Sequence, residues 1–322
     1  MRSWAMFWAL AAGIYACETA ASAQSWAPTR PIRVMIPVPA GSAPDLLTRI
    51  VGQGFQAKWG QPAILDPHPG ASQNIAGDLL YRADPDGYTL LTAPPPPFAV
   101  NQHLFKKLTY DPQQFALVSV LVEAPNVLMV RGDLPAKNVA ELVALAKSKP
   151  GGLNYGSTGP GSTLHLSGEA LKAHAGVDIT HVPFKGTIEI ISDMMGERID
   201  MAFINLVDAW PHIQAGKLRA IAVGGAARAP GLPDVPTLAE TWPDFVSVTW
   251  FALAAPPKTP ANILDDLNGV VREAFATPEA KKIIGDLHVT PVLDSPAAAR
   301  AYIDADSARW RDVILRNKIS IE

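Results

Sequence analysis

A single cysteine, Cys17, stands in 322 residues. One thiol excludes a disulfide scaffold and any zinc or iron–sulfur site built from cysteines. Charge is scarce as well: 18% of residues are charged, 27 basic against 30 acidic, for a net charge of −3. That balance lacks the positive excess of a nucleic-acid surface, so no nucleic-acid partner is expected. The seven histidines (68, 103, 165, 174, 181, 212 and 288) include no H-x-x-x-H or H-E-x-x-H pair, and no metal site is expected. Past the N-terminus no stretch is long and apolar enough for a bilayer span of roughly 20 helical residues. What is present is apolar and punctuated. With 48% hydrophobic residues the chain is not disordered, and its length suits two domains of roughly 100–200 residues. Thirty prolines and 24 glycines indicate many short, sharply ended elements.

The N-terminus reads as an address. Met1-Arg2 is a minimal positive region, Trp4 to Ala16 is an apolar or small run, and Ala21-Ser22-Ala23 offers a small-x-small cleavage pattern. The run is about a dozen residues, too short to span a bilayer, so 1–23 is expected to be a cleaved secretory signal. The alternative is a lipoprotein lipidated at Cys17. It is disfavoured because Ile14-Tyr15-Ala16 places a bulky tyrosine where a lipobox needs a small residue. Cleavage after Ala23 removes the only thiol. Arg2 and Glu18 leave together, so the charge stays at −3.

Short apolar strands then alternate with amphipathic helices, the α/β signature. Ile32–Val38 reads as a buried strand, followed by the loop PAGSA and a helix over 44–58 carrying Leu46, Leu47, Ile50, Val51 and Phe55 at helical spacing. Further strands are expected at 89–92, 117–122 and 126–130, and a helix at 138–149. The opening pattern recurs after Pro150-Gly-Gly: a strand at 153–155, the loop GSTGPGS at 156–162, and a helix at 163–175. Strands at 179–182, 201–204, 218–223 and 249–254 follow, with helices at 189–195, 260–276, 278–287 and 296–317. Two such units predict two lobes, one from 31–124 plus 248–322 and the other from 125–247. Pro94–Pro97 reads as a stiff polyproline II stretch shaping a loop rim. Trp210, Trp242, Trp250 and Trp310 read as core or lobe-packing residues.

The two small-residue loops have a chemistry in common. Ser42 and Asp45 fit a capping box, and Ala40-Gly41 lie where backbone N–H groups converge at a helix start. Gly156, Ser157, Thr158, Gly159, Gly161 and Ser162 repeat the arrangement. A helix end carries roughly half a positive charge, so two such ends facing one cleft hold an anion without Arg or Lys. The alternative is that both loops are ordinary tight strand-to-helix connections. Enzyme motifs fail. Residues 156–163 have P-loop spacing but Ser162 where the phosphate-binding lysine belongs. The dinucleotide fingerprint lacks its third glycine at Leu164, and no G-x-S-x-G elbow exists. Ser157 with His165 imitates half a hydrolase without an acidic partner, and His165 reads as a loop brace or ligand contact.

These segments also carry a resemblance. PIRVMIPVPAGSAPDLLTRIV (31–51), PDGYTLL (85–91), LTYDP (108–112), LNYGSTGPGSTLHLSGEALKAHAGVDITHVPFKG (153–186), DVPTLAE (234–240) and ARWRDVI (308–314) resemble the Bug-type, TctC-like substrate-binding proteins of tripartite tricarboxylate transporters. The resemblance implies a two-lobe Venus-flytrap, periplasmic-binding-protein type II fold with a central sheet flanked by helices in each lobe. It implies a periplasmic, monomeric, cofactor-free protein that catalyses nothing. Such a protein hands an organic carboxylate to membrane permease subunits. By the same resemblance the carboxylate is held by Ala40, Gly41 and Ser42 in the first loop and by Ser157, Thr158, Gly161, Ser162 and His165 in the second. The Lys185-Gly186 turn is either a backbone contact or a plain turn.

Departures from the family pattern bear on the ligand. Val38 replaces an aromatic before the first loop, and Ala93 with Pro94 gives the third strand an apolar end. Amino-acid binders tend to carry Asp after Phe203, where this chain has Ile204-Asn205, so an ammonium group lacks its counter-charge. The expected ligand is an amine-free mono- or dicarboxylate, with an aromatic body among the options. The competing readings are a secreted serine hydrolase using Ser157 or Ser162 with His165, and a ligand sensor for a receptor kinase.

Overall fold

In the computed structural model, residues 25–38, 43–229 and 231–319 are described. The chain folds as β1 (Ile32–Ile36), α1 (Ala43–Trp59), β2 (Ala63–Pro67), α2 (Asn74–Tyr81), β3 (Thr89–Ala93), α3 (Asn101–Leu104), β4 (Ala116–Arg131), α4 (Val139–Ser148), β5 (Asn154–Ser157), α5 (Thr163–Ala175), β6 (Thr180–Pro183), α6 (Thr187–Met195), β7 (Met201–Asn205), α7 (Leu206–Gln214), β8 (Leu218–Val223), β9 (Val248–Ala255), α8 (Ala261–Phe275), α9 (Pro278–Asp286), β10 (Thr290–Pro291) and α10 (Pro296–Arg316).

The strands follow the order β2-β1-β3-β9-β4-β7-β5-β6, with β8 and β10 also pairing β4. β4 is the strand common to both halves. Its first part, Ala116–Pro125, runs antiparallel to β9, and its second part, Asn126–Arg131, pairs with β7 and β8. The partners change between Pro125 and Asn126. There the Asn126 amide donates to the Ser247 carbonyl and the Gly224 amide donates to the Asn126 carbonyl.

Each half has two apolar layers because its strands alternate. In the first half, Val34 and Leu90 face α1 and α8, while Met35 and Leu91 face the Phe98, Trp250 and Trp310 side. In the second, Leu128 and Phe203 pack with α5, and Val127 and Ile204 with α6 and α7. α10 bridges them, with Val313 packed against clusters on both sides. Trp250 and Trp310 are fully buried, as core residues should be. Trp250 Nε1 donates to Asp306 Oδ2 at 2.8 Å. No helix among the described residues is long and apolar enough to cross a membrane.

Two sequence expectations change. The prolines at 94–97 form no polyproline II rim: Pro95 is helical (φ −50°, ψ −36°), and Pro96–Val100 is a wide helical turn with every residue buried. Proline's φ near −65° suits a helix start, where its missing donor costs nothing. The two strands expected at 117–122 and 126–130 are one strand, because Pro125 falls at the change of partners. α7, for which the sequence offered no expectation, runs through Pro211, whose missing N–H and bulky ring act on the Val207 carbonyl one turn earlier.

Candidate functional site at the strand crossing

The second loop is built from its own hydroxyls. Ser162 caps α5, accepting the His165 N–H at 3.2 Å while its hydroxyl donates to the Gly159 carbonyl at 2.8 Å. Gly159 and Gly161 have φ of 99° and 82°, values that other residues rarely adopt. With Ser162 spent on His165, the Thr163 and Leu164 amides remain to point out of the helix end. No Lys or Arg lies within the loop.

Behind the loop stand three stacked rings. β5 and β6 place Tyr155 opposite His181, with ring centroids 4.9 Å apart, and His181 lies 4.3 Å from His165. Each imidazole grips the loop. Ser157 Oγ is 2.7 Å from His181 Nε2, and the Gly161 amide donates to His165 Nδ1 at 3.2 Å. The Tyr155 hydroxyl donates to Glu169 Oε1 at 2.7 Å, and Lys172 reaches the same oxygen. Burial, helped by the neighbouring His181, holds the His165 imidazole down at about 4. Burial also lowers His181, and it raises the Tyr155 phenol.

The loop is tied to the crossing by a closed ring of side-chain bonds. Thr163 Oγ1 meets Thr249 Oγ1 at 2.7 Å, and Thr249 Oγ1 donates to Asn126 Oδ1 at 3.2 Å. Asn126 Nδ2 donates to Ser247 Oγ at 3.0 Å, and Ser247 Oγ meets Ser167 Oγ at 2.6 Å. Ser167 then donates to the Thr163 carbonyl at 2.6 Å. All five residues are buried.

The candidate residues fall into three groups. Ala40, Gly41 and Ser42 lie outside the described residues, as do segment 1–23 and Cys17. Asp45, the other half of the expected capping box, is buried and pairs with Arg49 one turn later, with Arg49 Nε 3.0 Å from Oδ1. Val38, Thr158, Ser162 and Asn205 keep accessible surface, whereas Pro94 and Gly161 are buried and His165 is 6% exposed.

Three side chains depart from the expected contact role. Ala93 and Ile204 are fully buried in apolar clusters, because each faces the core side of its strand. Ser157 is fully buried, and its hydroxyl is spent on His181 and on the Gly159 amide. Ser157 therefore meets His181 rather than His165. Asn205 sits opposite Asn126 in the β4–β7 pairing, and its Oδ1 is buried without a hydrogen-bond partner among the described residues.

Sequence reasoning passed over His181, Thr163, Thr249, Asn126 and Asp208. Asp208 accepts from Thr187 Oγ1 at 2.9 Å, and burial raises its carboxyl above the usual range. The available signal was strand alternation, which puts His181 on the same face as Tyr155.

Two α/β halves joined through crossing strands, with a small-residue helix end at the crossing, define a solute-binding protein of the two-lobe periplasmic type. Residues 47–319 match the family described as tripartite tricarboxylate transporter family receptor, TctC. The chain belongs to that family. BugT of Bordetella pertussis is 31% identical over 290 residues, which are 89% of each chain. A protein of R. palustris solved with adipate is 33% identical with a TM-score of 0.84, covering 91% of this chain and 99% of that one. MatC from Rhodopseudomonas palustris, solved with bound malate, is 30% identical with a TM-score of 0.81, covering 89% of this chain and 99% of that one. Members of the family are receptors, so the chain binds a solute and is not an enzyme.

Proposed function

We propose that this protein works in the periplasm, closes its two lobes on an amine-free mono- or dicarboxylate, and delivers it to the permease subunits of a tripartite tricarboxylate transporter. The observation that carries the reading is the end of α5. Its small-residue loop presents helix-end amides with no basic side chain in it, as suits a carboxylate. The two similar R. palustris proteins were solved with adipate and malate, acids without an amine. Asn205 suits the same class: it is neutral, so an ammonium group beside it lacks a counter-charge.

Segment 1–23 is the export signal in this account. The moving bodies are 31–124 plus 248–322 and 125–247, a division supported by the change of β4's partners beside Pro125. Contacts to the carboxylate come from Ala40, Gly41 and Ser42 on one side and, on the other, from Thr158 and the first amides of α5, which the Gly161 amide and the Ser162 hydroxyl hold in place through their bonds within the loop. Val38 and Pro94 shape the apolar end. Closure follows the hinge mode of two-lobe binding proteins.

Calorimetry with adipate and malate, paired with uptake of the acid that binds in a strain lacking this protein, tests the reading. The acid that binds is the one whose uptake is lost. Binding with unchanged uptake contradicts delivery, and the absence of binding by any amine-free acid contradicts the ligand class.

A further inference from the structure

The two imidazoles behind the loop do related work. The Gly161 amide donates to His165 Nδ1, so that nitrogen carries no proton and the ring's hydrogen is on Nε2. Ser157 Oγ already accepts the Gly159 amide at 3.1 Å. Its own hydrogen has two acceptors within reach, His181 Nε2 at 2.7 Å and the Gly159 carbonyl at 3.4 Å, and it takes the shorter contact when His181 carries its proton on Nδ1. His165 thus acts on the loop as an acceptor, as does His181 in its Nδ1-protonated tautomer, and each is an acceptor only while neutral.

We infer that His165 and His181 are positioning residues of the ligand loop, and that they hold it in its binding geometry only as a neutral pair. The inference rests on the loop being the carboxylate contact.

A proton on His165 Nδ1 sets one N–H against another and releases Gly161. A proton on His181 Nε2 reverses the bond to Ser157 and turns that hydroxyl toward Gly159. Both changes fall on the two glycines with positive φ, where the backbone is freest to respond. The rings lie 4.3 Å apart, so the first proton opposes the second. The charged groups facing the pair are Glu169 and Lys172 of α5, which pair with each other at 2.9 Å. Tyr155 of β5 packs against both imidazoles, 4.9 Å from His181 and 6.5 Å from His165, and bonds to Glu169.

The consequence has an unexpected sign. Added positive charge beside an anion site ordinarily tightens binding, whereas here it undoes the loop that does the holding.

Two readouts on the intact protein test this. The first follows the ring nitrogens of His165 and His181, together with the Gly159 and Gly161 amides, by nuclear magnetic resonance from pH 7.5 to 3.5 without ligand. The amide signals move in step with the ring signals. In His165→Gln, whose side-chain oxygen accepts the Gly161 amide at every pH, the Gly161 movement disappears. Glycine amides that stay still while the rings titrate overturn the inference.

The second is calorimetry with adipate at pH 7.5. His165→Gln keeps affinity within about threefold of the parent, while His165→Leu, which removes the acceptor, loses about tenfold. His181→Gln and His181→Leu repeat the comparison through Ser157. Equal affinities for Gln and Leu variants at both positions overturn the positioning role. A parent that binds no amine-free acid while its glycine amides still follow the rings supports the coupling and overturns the carboxylate reading instead.

Discussion

Thr163 Oγ1 lies 2.7 Å from Thr249 Oγ1. That contact joins the first residue of α5 to the strand that returns through the crossing, so the helix end facing the candidate site is fastened to the place where the halves meet. The ring through Asn126, Ser247 and Ser167 is built from neutral side chains, and all of it is buried. Neutral partners avoid the desolvation cost of a buried ion pair.

Thr249→Val keeps the shape and removes a hydroxyl that serves two neighbours. The expected loss is about 1–3 kcal/mol in urea unfolding, since Asn126 Oδ1 and Thr163 Oγ1 lose a partner in a dry place. Adding Thr163→Val costs less than the sum of the single changes, because the partners are in contact.

Gly168 touches the same machinery from behind. A Cβ built there stands 2.3 Å from the Tyr155 ring. Gly168→Ala is therefore destabilising, although alanine is the better helix former by about 1 kcal/mol. Displacement of Tyr155 from His181 accompanies the loss and is read in the aromatic proton shifts.

Acid acts on stability through His165. Its ring sits at about 4 in the folded protein against an ordinary 6.5. The folded state thus binds fewer protons than the unfolded state between those values. Its stabilising contribution is complete above about pH 6.5 and is lost as pH falls toward 4, up to about 3 kcal/mol in all. Unfolding of His165→Gln measured from pH 7 to 4 lacks that part of the slope.

Asp208 has the opposite sign. Burial raises its carboxyl above the usual 3.8, so its ionised form costs stability at neutral pH. Asp208→Asn, which can still accept from Thr187, is more stable than the parent at pH 7. The advantage shrinks as pH falls toward the ordinary aspartate value, where the parent's carboxyl is protonated in both states.

Much of the fold was legible because apolar periodicity and end signals agreed. α5 begins after the Ser162 cap and stops at Gly176 (φ 62°), as the sequence pattern predicts, and β8 runs over 218–223 as expected. Prolines were harder to read. The run at 94–97 looked extended and the strand through Pro125 looked like two, because proline records a missing donor and not whether a donor was needed. The second loop's small residues were legible as a capped helix start. Their support was not. His181 is 24 residues from Ser157, and Thr249 is 86 from Thr163. Those pairings exist only once the strands are in register.

A thermal-shift panel of adipate, malate and benzoate against aspartate and glutamate at pH 7.5 tests the central claim most directly. The account predicts stabilisation by at least one amine-free acid that exceeds any effect of aspartate or glutamate. Strong stabilisation by aspartate or glutamate, with none by the amine-free acids, contradicts it.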